Sequence, residues 1–251
     1  MKAFLTDSLV IASRDIIRST REKSRLFSSI VRPVIWLFLL GSGLRGSFSQ
    51  MPGGYTYTQY IFPGMLAMNV LFASVQSGTT IIWDREFGFL KEILVSPVSR
   101  SSIVFGKTIS GAAVATFQGL IVLALFPFVG LRLSFFQLII CAAALFLIAL
   151  SITSLGILIA SRMSSFEGFG SINNFIVMPL FFLSGAMYPV NKAPYWLKPF
   201  IMANPLSYSV NLLRGIILGT EGNFFIDIAV IAAFLLTVFS IATYIFYTDR
   251  R

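Results

Sequence analysis

The sequence predicts an all-α integral membrane protein with six transmembrane helices, an amino-terminal amphipathic interfacial helix and re-entrant outer helices between spans five and six. Of its 251 residues, 56% are hydrophobic and only 12% are charged. The apolar residues gather in runs that are too long for a soluble domain to bury. The net charge of +9 comes from basic residues at the ends of these runs. It therefore requires no nucleic-acid partner.

Residues 1–25 are the first predicted element, a basic amphipathic helix that lies along the inner membrane surface. On a helical projection one side is apolar and carries Leu5, Leu9, Val10, Ile16 and Ile17. The opposite side is charged and carries Asp7, Arg14, Arg18, Arg21, Glu22 and Arg25, while the exceptions to the pattern are Phe4, Ile11 and Lys23. Such a helix suits either an orientation anchor or a contact with a partner.

Six apolar segments within residues 26–251 are long enough to cross a bilayer. They run from Leu26 to Leu44, Tyr60 to Trp83, Ser102 to Gly130, Leu133 to Ser161, Gly168 to Val190 and Phe225 to Thr248. The first is interrupted near its start by Arg32 and Pro33. An arginine there can extend to the headgroups, so six spans are favoured over five.

The basic residues indicate how the spans are oriented. With the amino terminus inside, the inner side carries Lys2, Arg14, Arg18, Arg21, Lys23, Arg25, Arg32, Arg85, Lys91, Arg100, Lys107, Arg162, Arg250 and Arg251. The outer side carries only Arg45, Arg132, Lys192, Lys198 and Arg214. The positive-inside rule therefore predicts a multi-pass protein of the cytoplasmic (inner) membrane with both termini in the cytoplasm.

Residues 191–223, between the fifth and sixth spans, form an unusually apolar outer loop. Pro194, Pro199 and Pro205 break it too often for a spanning helix. We expect short re-entrant helices that dip into the outer leaflet, with Tyr195 and Trp196 at the interface.

Residues 84–100 form a polar segment that patterns as a short cytoplasmic helix. Phe87, Leu90 and Leu94 recur at i, i+3 and i+7 and share one face. Asp84 is placed to cap the helix and Glu86 to lie at its positive end, while Pro97 prevents continuation. The simple alternative is a solvated connecting loop. The regular apolar face favours a helix laid into a partner's groove.

Several kinds of chemistry are excluded by the residues present. Because the chain has no histidine, His-based catalysis and His ligation of a metal or haem are excluded. No acidic residue falls mid-span, which argues against an ion-coupled carrier. Gly106-Lys107-Thr108 imitates the end of a phosphate-binding loop, but Ser101 stands where the leading glycine belongs. We therefore predict no catalytic, metal or cofactor site in this chain, and a role for Lys107 in anchoring the third span at the inner surface.

Two separated motifs resemble the type-2 ABC transporter permeases, which include the membrane subunits of daunorubicin and nodulation-factor exporters. The first is REFGFLKEILVSPVSR, followed by Gly106-Lys107. The second comprises Pro179-Leu180, Phe182-Leu183-Ser184-Gly185-Ala186, Tyr188-Pro189, Pro194, Trp196, Asn204-Pro205-Leu206 and Arg214. The likeness covers nearly the whole chain.

The resemblance implies a function for residues 84–100 and for the chain. The segment would be the coupling helix that docks on a separate ABC ATPase subunit, through Glu86, Phe87, Gly88, Leu90, Glu92, Leu94 and Pro97. ATP and Mg²⁺ would then bind to that partner, and residues 1–25 would be the connecting helix. Two copies of the permease would form the complex, so a homodimer in membrane lipid is expected.

Side chains on the second and fifth spans are candidates for a substrate path. They are Met65, Met68, Phe72 and Gln76, and Asn173, Asn174, Met178 and Phe182. Each set is spaced to share a helix face, although ordinary helix packing explains such spacing as well. Aromatic and methionine side chains with a few amides suit an apolar or amphipathic cargo, such as a drug, a lipid-like molecule or a glycolipid. We expect an ATP-driven exporter subunit, with a nucleotide-independent channel or carrier as the alternative.

Overall fold

The computed structural model describes residues 2–43, 51–89, 95, 98–163, 165–220 and 222–248, and these residues contain helices and turns but no strand. The helices are α1 (Lys2–Arg21), α2 (Lys23–Gly43), α3 (Tyr57–Ser77), α4 (Thr79–Glu86), α5 (Arg100–Leu123), α6 (Phe135–Ser161), α7 (Phe166–Phe182), α8 (Lys198–Ala203), α9 (Pro205–Leu218) and α10 (Phe224–Thr248). The all-α prediction is confirmed.

Four helical stretches among the described residues are long and apolar enough to cross a membrane. They are Tyr57–Glu86, Arg100–Leu123, Phe135–Ser161 and Phe224–Thr248, and they match the predicted spans two, three, four and six. The predicted first and fifth spans are not among them. The first corresponds to α2, which contains Pro33. The fifth corresponds to α7, whose 17 residues are fewer than the roughly 20 that a straight span requires.

The centre of the molecule is built from α3, α5 and α6, which pack against one another. Their fully buried side chains include Phe62, Leu66, Ile103, Leu145 and Ile148. On the outside, α2 packs on α3, while α10 packs along α6. Only 17% of the apolar stretch of α10 is buried within the chain, so most of its surface faces outward, as a helix embedded in lipid requires.

The sequence sets the starts of the central helices through side-chain caps. Thr56 and Gln59 form a capping box at α3, and Ser134 and Gln137 form another at α6. In each box the hydroxyl accepts from a backbone N–H while the glutamine accepts from the capping residue's own N–H. These bonds satisfy amide groups that the first helical turn leaves free. They fix where α3 and α6 begin.

Helix α1 packs on α5, but the side in contact is not the apolar side predicted from the sequence. Leu9 and Ile17 are 62% and 53% exposed, whereas Ile11 and Asp15 are buried. At the contact, a Cβ on Gly106 of α5 would lie only 2.7 Å from the carbonyl oxygen of Ser8. Glycine therefore permits the close approach of the two backbones. The apolar side of α1 is left exposed, as a surface-lying helix would require.

The predicted outer segment does contain short helices, α8 and α9, joined at Asn204. The Asn204 side chain accepts from the Leu206 N–H and donates to the Leu180 carbonyl, 2.6 Å away. It thereby caps α9 and ties it to the end of α7. Tyr195 and Trp196 are 87% and 68% exposed, so both rings are available for an interface with lipid.

Candidate functional site: a buried ion cluster and an amide-lined cavity

Four charged side chains meet where α1, α4 and α5 converge; Arg14, Asp15, Asp84 and Lys107 are called the ion cluster below. The Lys107 ammonium donates to Asp84 Oδ2 at 2.6 Å and to Asp15 Oδ2 at 3.2 Å. The Arg14 guanidinium donates to Asp84 Oδ2 and to Asp15 Oδ1, each at 2.8 Å. Each cation therefore bridges both carboxylates, and three helices are joined by one network.

The ion cluster is shielded from solvent except at Arg14. Asp15, Asp84 and Lys107 are 5%, 4% and 2% exposed. Desolvation lowers the pKa of Arg14. The charges and hydrogen bonds of Asp15 and Asp84 together raise it by more than desolvation lowers it, so the pKa of Arg14 lies above its ordinary value. Ions removed from water in this way are stable only while their partners are present. Loss of one member leaves an uncompensated buried charge.

The structure corrects the predicted positions of Asp84 and Glu86 at the start of a helix. Asp84 does not cap a helix that starts there; it lies in the last turns of α4, where its carboxylate faces α1 and α5. Glu86 is the last residue of α4 and so lies at the negative end of the helix dipole, not the positive end. The ammonium of Lys107 is buried in the ion cluster, where it pairs with Asp15 of α1 and Asp84 of α4. Local spacing carried no information about these long-range partners.

A chain of aromatic contacts extends from the ion cluster to the predicted docking segment. The Arg14 guanidinium lies 4.6 Å from the ring centre of Phe89, and that of Arg18 lies 4.9 Å from Trp83. Trp83 in turn stacks on Phe87 at 4.8 Å and meets the edge of Phe166, at the start of α7, at 5.3 Å. The beginning of the docking segment is therefore held between α1 and α7.

Backbone geometry ends α4 and redirects the chain at Gly88. This residue has φ +77°, a left-handed conformation that glycine adopts without steric cost. The prediction of a single helix over residues 84–100 is therefore wrong at its amino-terminal end. Phe87 is 68% exposed and available to a partner. The other predicted docking residues, Leu90, Glu92, Leu94 and Pro97, lie outside the described residues.

A cavity of about 740 Å³ lies between α2, α3, α5 and α7. Its lining comprises Ser28, Pro33, Trp36, Met68, Asn69, Phe72, Ala73, Gln76, Gln118, Asn173, Asn174, Met178, Phe181 and Phe182. Seven of the eight predicted path residues are in this lining, so the structure brings the two predicted helix faces together. The exception is Met65, which is 1% exposed and packs in the core.

The cavity combines apolar and amide side chains, and no described residue of its lining is charged. The amides are Asn69, Gln76, Gln118, Asn173 and Asn174. Sequence reasoning missed Gln118 on α5 and Trp36 on α2, because it compared only the second and fifth spans. A lone glutamine within the apolar run of α5 was the available signal, since buried amides in a span rarely lack a function.

The turn after α7 is held by contacts from α3 and α9. Arg214 of α9 is 6% exposed, donates to the Gly185 carbonyl at 3.0 Å and lies 4.2 Å from the ring centre of Tyr60. The backbone of Ala186 lies so close to Gly64 of α3 that a Cβ there would overlap it. The quoted second motif, from Pro179 to Arg214, therefore forms one packed unit at the end of α7.

Comparison with known proteins agrees with this architecture. Residues 6–218 match the family described as ABC-2 type transporter. The chain is 31% identical over 214 residues to the Cyanophora paradoxa protein described as transport permease ycf38, covering 84% of this chain and 74% of that protein. Nodulation protein J of Rhizobium leguminosarum bv. trifolii is 30% identical over 199 residues, covering 77% and 74%.

A third relative matches over a shorter region. The multidrug ABC transporter permease YbhR of Escherichia coli (strain K12) is 32% identical over 171 residues, which cover 64% of this chain and 44% of that protein. The family match spans most of the chain, including most of α1, the ion cluster and the cavity. The resemblance drawn from the two motifs is thereby confirmed. The chain belongs to the ABC-2 type transporter family and is a membrane permease subunit of an ABC transporter.

Proposed function

We propose that this chain is the permease of an ABC exporter that moves an apolar or amphipathic substrate outward across the cytoplasmic membrane. A separate ATPase subunit, which binds ATP and Mg²⁺, docks on residues 84–100, and two copies of the permease form the transport unit. The observation that carries the proposal is the ion cluster, because it connects the start of the docking segment with two walls of the cavity.

The connection to the first wall runs through α3. Asp84 of the ion cluster lies on α4, which follows α3 after the single residue Gly78. A Cβ at Gly78 would lie 2.5 Å from the carbonyl oxygen of Gly156, so this joint is packed directly on α6. Movement of α4 is therefore transmitted to the α3 face that carries Met68 and Phe72.

The second wall is reached through Lys107. This residue and Gln118 of the cavity lie on the same helix, α5, which is continuous between them. Because the ammonium bonds to Asp84 and Asp15, a displacement of α4 or α1 moves α5 as well. An ATPase subunit that pushes on the docking segment would thus act on both walls at once. A rigid helix that is tied to its neighbours by buried ion pairs is suited to transmit such a movement.

The direct test is co-purification of the permease with its ATPase subunit. We expect a complex that contains two copies of each chain and hydrolyses ATP, and we expect hydrolysis to rise when a cargo is added. A permease that transports cargo at the full rate with its ATPase subunit removed would contradict the proposal and point to a nucleotide-independent carrier.

The proposed topology takes its six spans from the apolar segments and its cytoplasmic termini from the distribution of basic residues. In a variant with Cys141 replaced by serine, cysteines placed at Gly54 and Lys192 should react with an impermeant thiol reagent applied to intact cells. A cysteine at Gly88 should react only after the membrane is permeabilised. Labelling at Gly88 from outside would reverse the proposed orientation.

The cavity is the proposed substrate path, and its side chains should determine transport. We expect Phe72→Ala to weaken transport roughly tenfold, because a ring that contacts the cargo is lost. Alanine at Gln76, Asn174 and Met178 should change the rate or the substrate preference, while the ATPase subunit still assembles. Transport of several dyes into inverted vesicles provides the measurement.

The matched control for the cavity variants is Phe136→Ala. Phe136 lies on α6, is 70% exposed and does not belong to the cavity lining. It should transport at the wild-type rate. An unchanged profile for all four cavity variants would place the path elsewhere in the helix bundle.

A further inference from the structure

Two of the buried carbonyl oxygens at the cavity carry the argument, because neither has a hydrogen-bond partner within the described part of the chain. They are Gln118 Oε1 on α5 and Asn173 Oδ1 on α7. Gln118 is only 2% exposed, so bulk water does not satisfy it. A buried acceptor without a donor is unfavourable and uncommon in folded proteins, and each instance calls for a specific explanation.

The position of Gln118 is fixed by tight packing of α5 against the core. A Cβ on its neighbour Gly119 would lie 3.0 Å from the side chain of Val70 on α3 and 3.5 Å from Leu145 on α6. The backbone here has no room to withdraw, so the amide at residue 118 is presented to the cavity by a rigid helix. A binding group on such an element is positioned in advance.

We infer that this cavity selects ligands that combine an apolar body with a hydroxyl or amide N–H donor, and that Gln118 and Asn173 accept the hydrogen bonds. The inference rests on the proposed function, whose substrate class it narrows. A carbonyl oxygen accepts from O–H and N–H groups and repels ether, ester and carboxylate oxygens. Phe72, Met68 and Met178 supply the apolar surface that receives the body of the ligand.

Gln118 would thus be a specificity-determining residue rather than a general contact. Its removal should reduce the preference for a donor-bearing ligand and leave the affinity for an apolar ligand without a donor nearly unchanged. Loss of packing alone would lower both affinities together. The ratio of the two affinities therefore distinguishes hydrogen bonding from a structural effect.

The test uses two neutral fluorescent probes, 1-pyrenemethanol and its methyl ether, in which a methyl group replaces the donor hydrogen. The full-length permease in lipid nanodiscs is titrated with each, binding is read by tryptophan-to-pyrene energy transfer, and the signal of empty nanodiscs is subtracted. We expect the alcohol to bind the wild type roughly three- to tenfold more tightly than the ether, the range of one or two net hydrogen bonds.

The variants make the assignment specific. Gln118→Met, which keeps the length of the side chain, should bring the two affinities to within about twofold, and Asn173→Leu should reduce the preference in part. Phe117→Met is the matched control, because Phe117 is the neighbouring residue on α5, is 55% exposed and lies outside the lining. It should retain the wild-type preference.

Three outcomes separate this inference from the function on which it rests. If the two probes bind the wild type equally, and this binding is lost in Phe72→Ala, the cavity binds ligands without selecting for a donor. That result overturns the inference about Gln118 and Asn173 but leaves the proposed path intact. A preference for the alcohol that persists in both Gln118→Met and Asn173→Leu also overturns that inference. Binding of neither probe removes the cavity as a ligand site and contradicts the proposed path as well.

Discussion

Substitution of Lys107 by methionine is expected to lower the free energy of unfolding by about 3–5 kcal/mol, the cost of breaking a buried ion pair. The change leaves the carboxylates of Asp15 and Asp84 to share the Arg14 guanidinium at a site that is nearly closed to solvent. Chemical denaturation of the purified permease in a mild detergent measures the loss. Transport should fall with it, because the link between α4 and α5 is broken.

A paired substitution provides the control for this prediction. Adding Asp84→Leu to Lys107→Met removes a cation and an anion together and leaves the Arg14–Asp15 pair, so most of the stability should return. Arg18→Gln should cost at most about 1 kcal/mol, since Arg18 reaches Asp84 only at 4.0 Å and is partly exposed. A double variant as unstable as Lys107→Met would show that the charge balance is not the cause.

The same double variant tests transmission apart from stability. It should fold and bind the ATPase subunit but transport slowly, because α4 and α5 no longer share a polar joint. Transport at the wild-type rate by this variant would contradict the proposed role of the ion cluster in coupling.

The second large effect is expected at Leu90, on the apolar face predicted for the docking segment. A side chain at the centre of an interface typically contributes 2 kcal/mol or more, which corresponds to roughly a thirtyfold loss of affinity on truncation. Leu90→Asp should cost more, because it buries an unpaired charge against the ATPase subunit. We expect the permease to insert and dimerise normally, but to retain little ATPase subunit in a detergent pull-down and to stop transporting.

Lys91→Ala is the neighbouring control for Leu90→Asp. Residue 91 lies off the predicted apolar face, so this substitution should leave both pull-down and transport close to wild type. If Leu90→Asp still binds the ATPase subunit and transports normally, residues 84–100 are a connecting loop and docking occurs elsewhere.

The sequence predicted the ends of a span well where the apolar run is continuous. The predicted sixth span began at Phe225, and α10 begins at Phe224; the predicted fourth span and α6 both end at Ser161. Hydropathy is a local property, which explains this agreement. The predicted fifth span extended beyond the carboxyl end of α7. The apolar residues after Phe182 lie in turns, and hydropathy alone does not distinguish a turn from a helix.

The candidate site was predictable only where it depends on helix periodicity. Phe72 and Gln76 lie one turn apart, as do Asn174 and Met178, and both pairs line the cavity. The ion cluster was not predictable in this way, because Asp15 and Lys107 belong to different helices and no local spacing relates them. Asp84 and Lys107, near the ends of predicted spans, looked like ordinary boundary residues.

Sequence distance within the ion cluster has a consequence for how the protein is made. Lys107 follows Asp15 by 92 residues, and Asp84 follows Arg14 by 70. At a ribosomal rate of about 5–20 residues per second, α1 emerges roughly 5–20 s before the lysine that completes its network. During this interval Asp15 lacks the Lys107 ammonium, and the exposed apolar side of α1 is available to the bilayer surface. Helix α1 is thus made before the two residues on α4 and α5 that hold Arg14 and Asp15 in place.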